Sequence, residues 1–418
     1  MEKSGKFRLT SLERNWILYD VGNSAFVLMV ATLIPIFFNA LAEAGGLSSV
    51  EYLAYWGYAS SAVTVITAVL SPILGTVADT KGFKKPIFIL CVFVGIVGCC
   101  AMGAVSAWLP FLVIFVIAKV GFSGSLVFYD SMLSDVTTPE RMDEVSSRGY
   151  AWGYIGSCVP FVVCLGLVLG AGSIGISQMT ALNLALLLTA AWWLLTTLPL
   201  LKSYKQLYYV EVEKHAVRQS FARIGHTLRH LPEDKQVFWF LLAFFCYIDG
   251  VYTIIDMATA YGTALGLDTT GLLLALLVTQ IVAFPSALIF GRLSNRYPSA
   301  KLIPVCIAAY AGIAVFAFFL TQQWQFWVLA VIVGMFQGGV QALSRSHFAK
   351  IIPPEKSGEY FGLFDICGKG ASFLGTMIVS VGSQLTGSAN VGVGSLIVLF
   401  IVGFVLFRVS CKKEVVPE

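Results

Sequence analysis

The sequence predicts an all-α membrane protein with twelve transmembrane helices in two pseudo-symmetric six-helix bundles, and three observations carry that prediction. The first is composition: of 418 residues, 57% are hydrophobic and 12% charged, too few charges to solvate the surface of a soluble globule. The second is run length. A hydrocarbon core about 30 Å thick needs roughly 20 apolar residues per helix. Such runs fall at about 16–41, 53–77, 86–106, 109–132, 146–170, 178–199, 237–263, 270–291, 302–320, 325–344, 359–383 and 391–408. They are continuous and lack the alternation of membrane strands, so helices are expected rather than a barrel. The third is an internal repeat. Gly75-Thr76-Val77-Ala78-Asp79-Thr80-Lys81-Gly82-Phe83-Lys84-Lys85, between spans two and three, has a degenerate copy in Gly291-Arg292-Leu293-Ser294-Asn295-Arg296-Tyr297-Pro298. Pro139-Glu140-Arg141 is matched by Pro354-Glu355-Lys356, and the match extends to Gly153 with Gly368 and Ser157 with Ser372, all at a shift of about 215 residues.

The repeat divides the chain into a first bundle (1–200), a cytoplasmic basic linker (201–235) and a second bundle (236–418). Every Lys and Arg except Lys119 and Lys369 lies in a tail or at loops on one side of the membrane. The positive-inside rule then places both termini in the cytoplasm of a multi-pass protein of the cell (inner) membrane. The net charge of +4 is a topology signal, and no nucleic-acid partner is expected. No cleavable signal peptide is read before the first span. The nine cysteines include Cys99, Cys100, Cys158, Cys246, Cys306 and Cys367 inside spans; they show no paired metal spacing and read as packing thiols, so neither metal nor cofactor is expected.

In chain order, a basic tail (Lys3, Lys6, Arg8, Arg14) leads into a first span that opens with Asp20, Asn23 and Ser24. A carboxylate at the bilayer centre costs roughly 2.5–3.5 kcal/mol on insertion scales. Asp20 is expected one turn inside the cytoplasmic interface, either binding substrate or a proton or sitting at a gate. In the loop after span two, Gly75 and Gly82 suit close helix approach and a tight turn. Asp79 can cap or pair, and Lys81, Lys84 and Lys85 offer partners to Asp130 and Asp135 at the end of span four. Lys119 lies near the midplane of span four, where a cation must face a polar group or a wet cavity.

The linker carries Lys202, Lys205, Lys214, His215, Arg218, Arg223, His226, Arg229, His230 and Lys235 around Val217, Phe221, Ile224 and Leu228, a spacing that suits an amphipathic helix on the membrane surface. Span seven places Asp249 and Asp256 on one helical face about 10 Å apart, near Tyr252, with Gly250 expected to break or bend the helix. Those aspartates serve substrate or protons, or pair structurally with Lys119 or Lys369. Span ten ends in Gln337 to Arg345, polar and glycine-bearing. Span eleven holds Asp365 and Lys369, an i, i+4 pair able to neutralise itself.

Twelve helices in two halves with Gly75-x-x-x-Asp79-x-x-Gly82-x-Lys84-Lys85 after span two resemble the major facilitator superfamily. Trp16-x-Leu-Tyr-Asp20-x-x-Asn23-Ser-Ala-Phe26, Asp249-Gly-Val-x-Thr-Ile-Ile255 and Gly338-Gly-Val-Gln-Ala-Leu-Ser-Arg-Ser346 resemble the autophagy-related-twenty-two-like, or vacuole effluxer, branch. The resemblance implies bundles rocking about a central cavity, with Asp79 and its lysines bracing the outward-open state against spans four and eleven. It also implies a secondary transporter, with amino-acid efflux the best-known role in the branch. Asn295 replaces the acid of the second loop, which implies a weaker second brace. No nucleophile–base set is present, so an enzyme is not expected. The leading expectation is alternating-access export of a small polar metabolite, an amino acid or related zwitterion. Protons are the candidate coupling ion, the lipid bilayer is the surrounding partner, and the chain acts as a monomer. Export of organic anions or amphiphiles, and a receptor or scaffold on a transporter fold, are the alternatives. Asp20, Asn23, Lys119, Asp249, Tyr252, Asp256, Gln337, Asp365 and Lys369 are the substrate or proton candidates. Gly75, Asp79, Gly82, Lys84, Lys85, Asp130, Asp135 and Arg345 are the gate candidates.

Overall fold

The computed structural model describes residues 7–211, 225–227 and 229–412, but not the side chains at 49, 50, 53, 259, 260, 264, 269, 270, 273 and 369–373. The first bundle contains α1 (Ser11–Ala31), α2 (Leu33–Ala44), α3 (Ser49–Ala78), α4 (Lys84–Met102), α5 (Trp108–Ser131), the short α6 (Leu133–Val136), α7 (Met142–Leu169) and α8 (Gln178–Ser203). The second contains α9 (Lys235–Ala264), α10 (Thr269–Leu293), α11 (Ser299–Phe318), α12 (Gln323–Ile351), α13 (Ser357–Thr386), α14 (Ala389–Gly394) and α15 (Ile397–Lys412). Eleven segments among the described residues are long and apolar enough to cross a membrane, with α1–α2 and α14–α15 each serving as one. The 30-residue α13 completes the twelve.

Local chemistry sets the helix ends. Thr10 and Glu13 close a reciprocal capping box on α1, and Ser48 and Glu51 another on α3. Outward surfaces carry Leu90, Phe93, Leu195 and Val305, all exposed and all apolar, as lipid contact requires. In the first bundle α1 packs on α7 and α8, and α4 on α5; in the second α9 packs on α15 and α13, and α10 on α12. The bundles meet through α3 against α13 and, at the equivalent place, α10 against α7.

Two expectations are corrected. The first span is not one helix: it breaks at Thr32, because Pro35 has no N–H for the carbonyl four residues back and its ring clashes there. Helix α9 runs unbroken through Gly250, where an added Cβ would meet the Phe400 ring at 2.5 Å, so the glycine serves close packing and not a break. The proposed amphipathic helix of the linker, with Val217, Phe221, Ile224 and Leu228, lies outside the described residues.

Candidate functional site: a buried gate brace and opposed charges between the bundles

The first gate element is built from the loop after α3. Gly82 makes the turn with φ of 79°, a left-handed conformation that glycine adopts without strain. Gly75 brings α3 onto α13 so closely that a Cβ there would collide with the Gly358 carbonyl. The approach carries the Asp79 carboxylate to the amino end of α13, where it accepts the Gly358 and Glu359 N–H groups at 2.7 and 2.8 Å. Helix amino ends leave such groups unpaired and carry positive potential, so an anion fits. Burial pushes the Asp79 carboxyl up to about 7, with Lys84 and the two N–H groups pulling the other way.

Lys84 is wholly buried beside it. Its Nζ lies 2.9 Å from Ser357 Oγ, 3.4 Å from Asp135 Oδ2 and 3.9 Å from Asp79 Oδ1. One cation thus links the end of span four, the loop and the start of α13. Asp135 is held further by the Tyr204 hydroxyl at 2.6 Å and by the Leu207 and Tyr208 N–H groups at 3.0 and 2.9 Å. Burial and the adjacent Asp135 charge raise the Tyr204 phenol above its ordinary range. Residues 204–211 form a strap over the loop: Gln206 bridges it through the Gly82 N–H and the Ala78 carbonyl, and Val210 N–H donates to the Asp79 carbonyl. Lys85 Nζ reaches the Tyr204 carbonyl at 3.4 Å, and Lys81 pairs with Glu211 in the open. Sequence reasoning missed the strap, since a tyrosine and a glutamine after a span carry no pattern. It also missed Glu13, whose carboxylate takes a two-pronged grip from Arg141 and ties the amino end of α1 to α7.

The second gate element reverses the roles. Asn295 is exposed, and its amide donates to Glu144 Oε2 at 2.7 Å across the α10–α7 contact. Between the two elements lies Arg345, 2% exposed, with Nη1 2.9 Å from Asp130 and 3.7 Å from Asp20. Its Nε and Nη2 donate to Ser146 Oγ and the Ser146 carbonyl, and the guanidinium lies over Trp16 and Tyr150. Asp130 and Arg345 are 215 residues apart, the shift of the repeat itself. One duplicated position therefore meets its own copy, as acid and base; this was the signal that assigns Asp130 to Arg345 and leaves only Asp135 to the lysines. Lys350–Asp143 at 2.6 Å, Ser346 on Asp143, Ser146 on the Ala342 carbonyl and Tyr154 on Gln341 complete the seal on this basic side.

The remaining candidates separate. Asn23 donates to the Tyr19 carbonyl, and Asp365 accepts from Ser71 across the bundles. Tyr252 is half-buried on α9. Asp249 is fully buried within the second bundle, where it accepts the Gly375 N–H at 2.9 Å and the Thr253 hydroxyl at 3.3 Å. Asp256, two turns along, is exposed, and the cation acting on it is Lys119 of α5 in the other bundle. Lys119 itself lies over the Phe122 ring at 4.6 Å. The Lys369 side chain is outside the described set.

Two six-helix bundles, sealed on one face by a loop-to-helix brace, define a membrane transporter of the major facilitator type. The fold matches the human organic anion transporter MFSD10 with a TM-score of 0.72 at 15% identity, covering 95% of this chain and 98% of that one. It matches the transporter FucP in its outward conformation with a TM-score of 0.71 at 16% identity, covering 96% and 97%. In sequence, the family model described as "Vacuole effluxer Atg22 like" matches residues 47–414, and the chain belongs to that family. It is 42% identical to YxiO of Bacillus subtilis, an uncharacterized MFS-type transporter, over 96% of this chain and 94% of that one. It is 25% identical to autophagy-related protein 22 of Coccidioides immitis over 64% of this chain and 51% of that one. Both resemblances read from the sequence are thereby borne out, and the chain is a transporter rather than an enzyme.

Proposed function

We propose that this transporter exports a small polar metabolite, an amino acid or related zwitterion, by alternating access, with protons as coupling ion. The observation that carries the reading is that exposed Asp256 on α9 is acted on by a charge of opposite sign from the opposite bundle, Lys119 on α5. A zwitterion offers a carboxylate to Lys119 and an ammonium to Asp256, so its binding draws the bundles together, whereas a neutral sugar gains little from either. Asp256 is also the candidate proton carrier, since an intramembrane carboxylate facing a cleft can neutralise itself by protonation. The positive-inside rule puts the basic side and both termini in the cytoplasm, and the sealed brace then corresponds to the outward-directed state.

Proteoliposomes carrying labelled amino acids test the reading. Asp256→Asn and Lys119→Gln should each lower flux at least tenfold, with Asp256→Asn also abolishing its response to a pH gradient. Wild-type flux that both variants retain would overturn it.

A further inference from the structure

A cavity of about 690 Å³, open space at its mouth included, lies wholly within the second bundle, between α9, α10, α11, α12, α13 and α14. Ile254, Leu276, Ile313, Phe326, Leu329 and Val333 make its wall apolar, and no charged side chain among the described residues lines it. The inter-bundle charges Asp20, Lys119, Asp130, Asp256 and Arg345 are not among its residues, so it is distinct from the cleft assigned to transport.

Most polar groups in the wall are already bonded within the protein. The Tyr261 hydroxyl donates to the Ala317 carbonyl at 2.6 Å, and Thr279 to the Ala275 carbonyl at 3.0 Å. Thr253 donates to Asp249. The wall holds two amides: Gln280 is half-buried, whereas Gln337 is 5% exposed and its Oε1 has no hydrogen-bond partner among the described residues. A buried amide oxygen left without a donor is destabilising, and cavities of this kind keep such groups for a ligand.

We propose that this cavity binds an uncharged, largely apolar small molecule that carries one N–H or O–H group and donates it to Gln337 Oε1. A charged ligand would find no counter-charge in the wall and would lose its hydration, so it is excluded. All lining residues among those described come from one bundle, so binding does not require the brace between bundles to be closed. The site therefore stands or falls independently of the transport reading.

The test uses the full chain in lipid nanodiscs with two probes of matched shape, indole and indene, which differ in the N–H group. Indole should bind saturably, and indene about tenfold or more weaker, as one buried hydrogen bond dictates. Gln337→Met, similar in volume but without the amide acceptor, should bring indole down to the indene level. Leu329→Trp, which fills the cavity, should abolish binding of both; Ala330→Leu is the milder filling variant if the first fails to fold. Asp79→Asn should leave indole affinity unchanged. Equal affinity for the two probes, no saturable binding, or undiminished indole binding in Gln337→Met or the filling variant would overturn the site.

Discussion

The two joints that hold the bundles together on the basic side occupy equivalent places and work by different chemistry. At α3–α13 a buried carboxylate accepts two backbone N–H groups, with a buried lysine beside it. At α10–α7 an exposed amide donates to a carboxylate that belongs to the other bundle. Duplication kept the helix crossing, while the exchange of acid for amide at Asn295 inverted donor and acceptor. Two hydrogen bonds in a site closed to water are stronger than one at an edge that water reaches, so the first joint is the firmer of the two. Between them the repeat meets itself, with Asp130 and Arg345 as the two copies of one position. A strictly symmetric protein would place like charges there, and the pair exists only because the halves have diverged.

The largest test of this comparison is Arg345→Met. It leaves Asp20 and Asp130 buried beside no guanidinium, and loss of one partner from a buried ionic cluster costs about 3–5 kcal/mol. Thermal unfolding should show it as a large fall in melting temperature. The exchange Asp130→Arg with Arg345→Asp should recover most of that loss, and an exchange as unstable as the single change would break the idea that the positions are interchangeable.

Next in size is Asp79→Asn, which keeps one acceptor oxygen but sets an NH2 group against the other of the two buried N–H groups, a loss of about 1–3 kcal/mol. Amide hydrogen exchange at Gly358 and Glu359 should accelerate at least tenfold. Unchanged exchange would mean that helix packing alone closes the joint.

The Asp79 carboxyl also makes this joint sensitive to pH. Burial raises its closed-state value to about 7, while an Asp79 opened to water returns toward its ordinary 3.8. The closed state therefore binds the proton more tightly, so its advantage is full below the ordinary value and is lost as pH rises through about 7. Opening, read by the same amide exchange, should increase about tenfold between pH 6 and pH 8. Asp79→Asn should abolish that slope, and a slope that survives would assign it to another group.

Asn295→Asp sharpens the contrast from the other side. It restores the acid of the first copy but faces Glu144 at the distance of the present 2.7 Å hydrogen bond. Two carboxylates repel, so this change should loosen the second joint by about 1 kcal/mol or less at that exposed place, read as faster exchange at the amino end of α7. Tightening instead would show that the two joints share one mechanism. The smallest effect is expected from Lys81→Ala, whose pair with Glu211 is open to solvent, with melting temperature and exchange both unmoved.

Much of this architecture is legible in the chain because a bilayer imposes a simple rule. Backbone groups in hydrocarbon must bond within their own helix, so run length alone locates the spans. The shift that aligns Gly75 with Gly291 exposed the duplication, and the acids and bases within apolar runs named most of the residues that meet between the bundles. The sequence-based expectations failed where side-chain direction mattered. Asp249 and Asp256 share a helical face by spacing, yet one turns into the second bundle to bond the Gly375 N–H while the other is exposed toward Lys119. Gly250 read as a break, but packing against Phe400 is what requires it.

By itself, then, the sequence determined the solvent, the number of spans, the repeat and the family, since these follow from composition, periodicity and motif. Only the tertiary structure decided which charges meet. It gave Arg345 to Asp130 and Asp20, strapped residues 204–211 over the Asp79 loop, and left Gln337 facing an apolar cavity. Partners in a folded membrane protein are fixed by the approach and rotation of helices far apart in sequence, and those degrees of freedom leave no local signature in the chain.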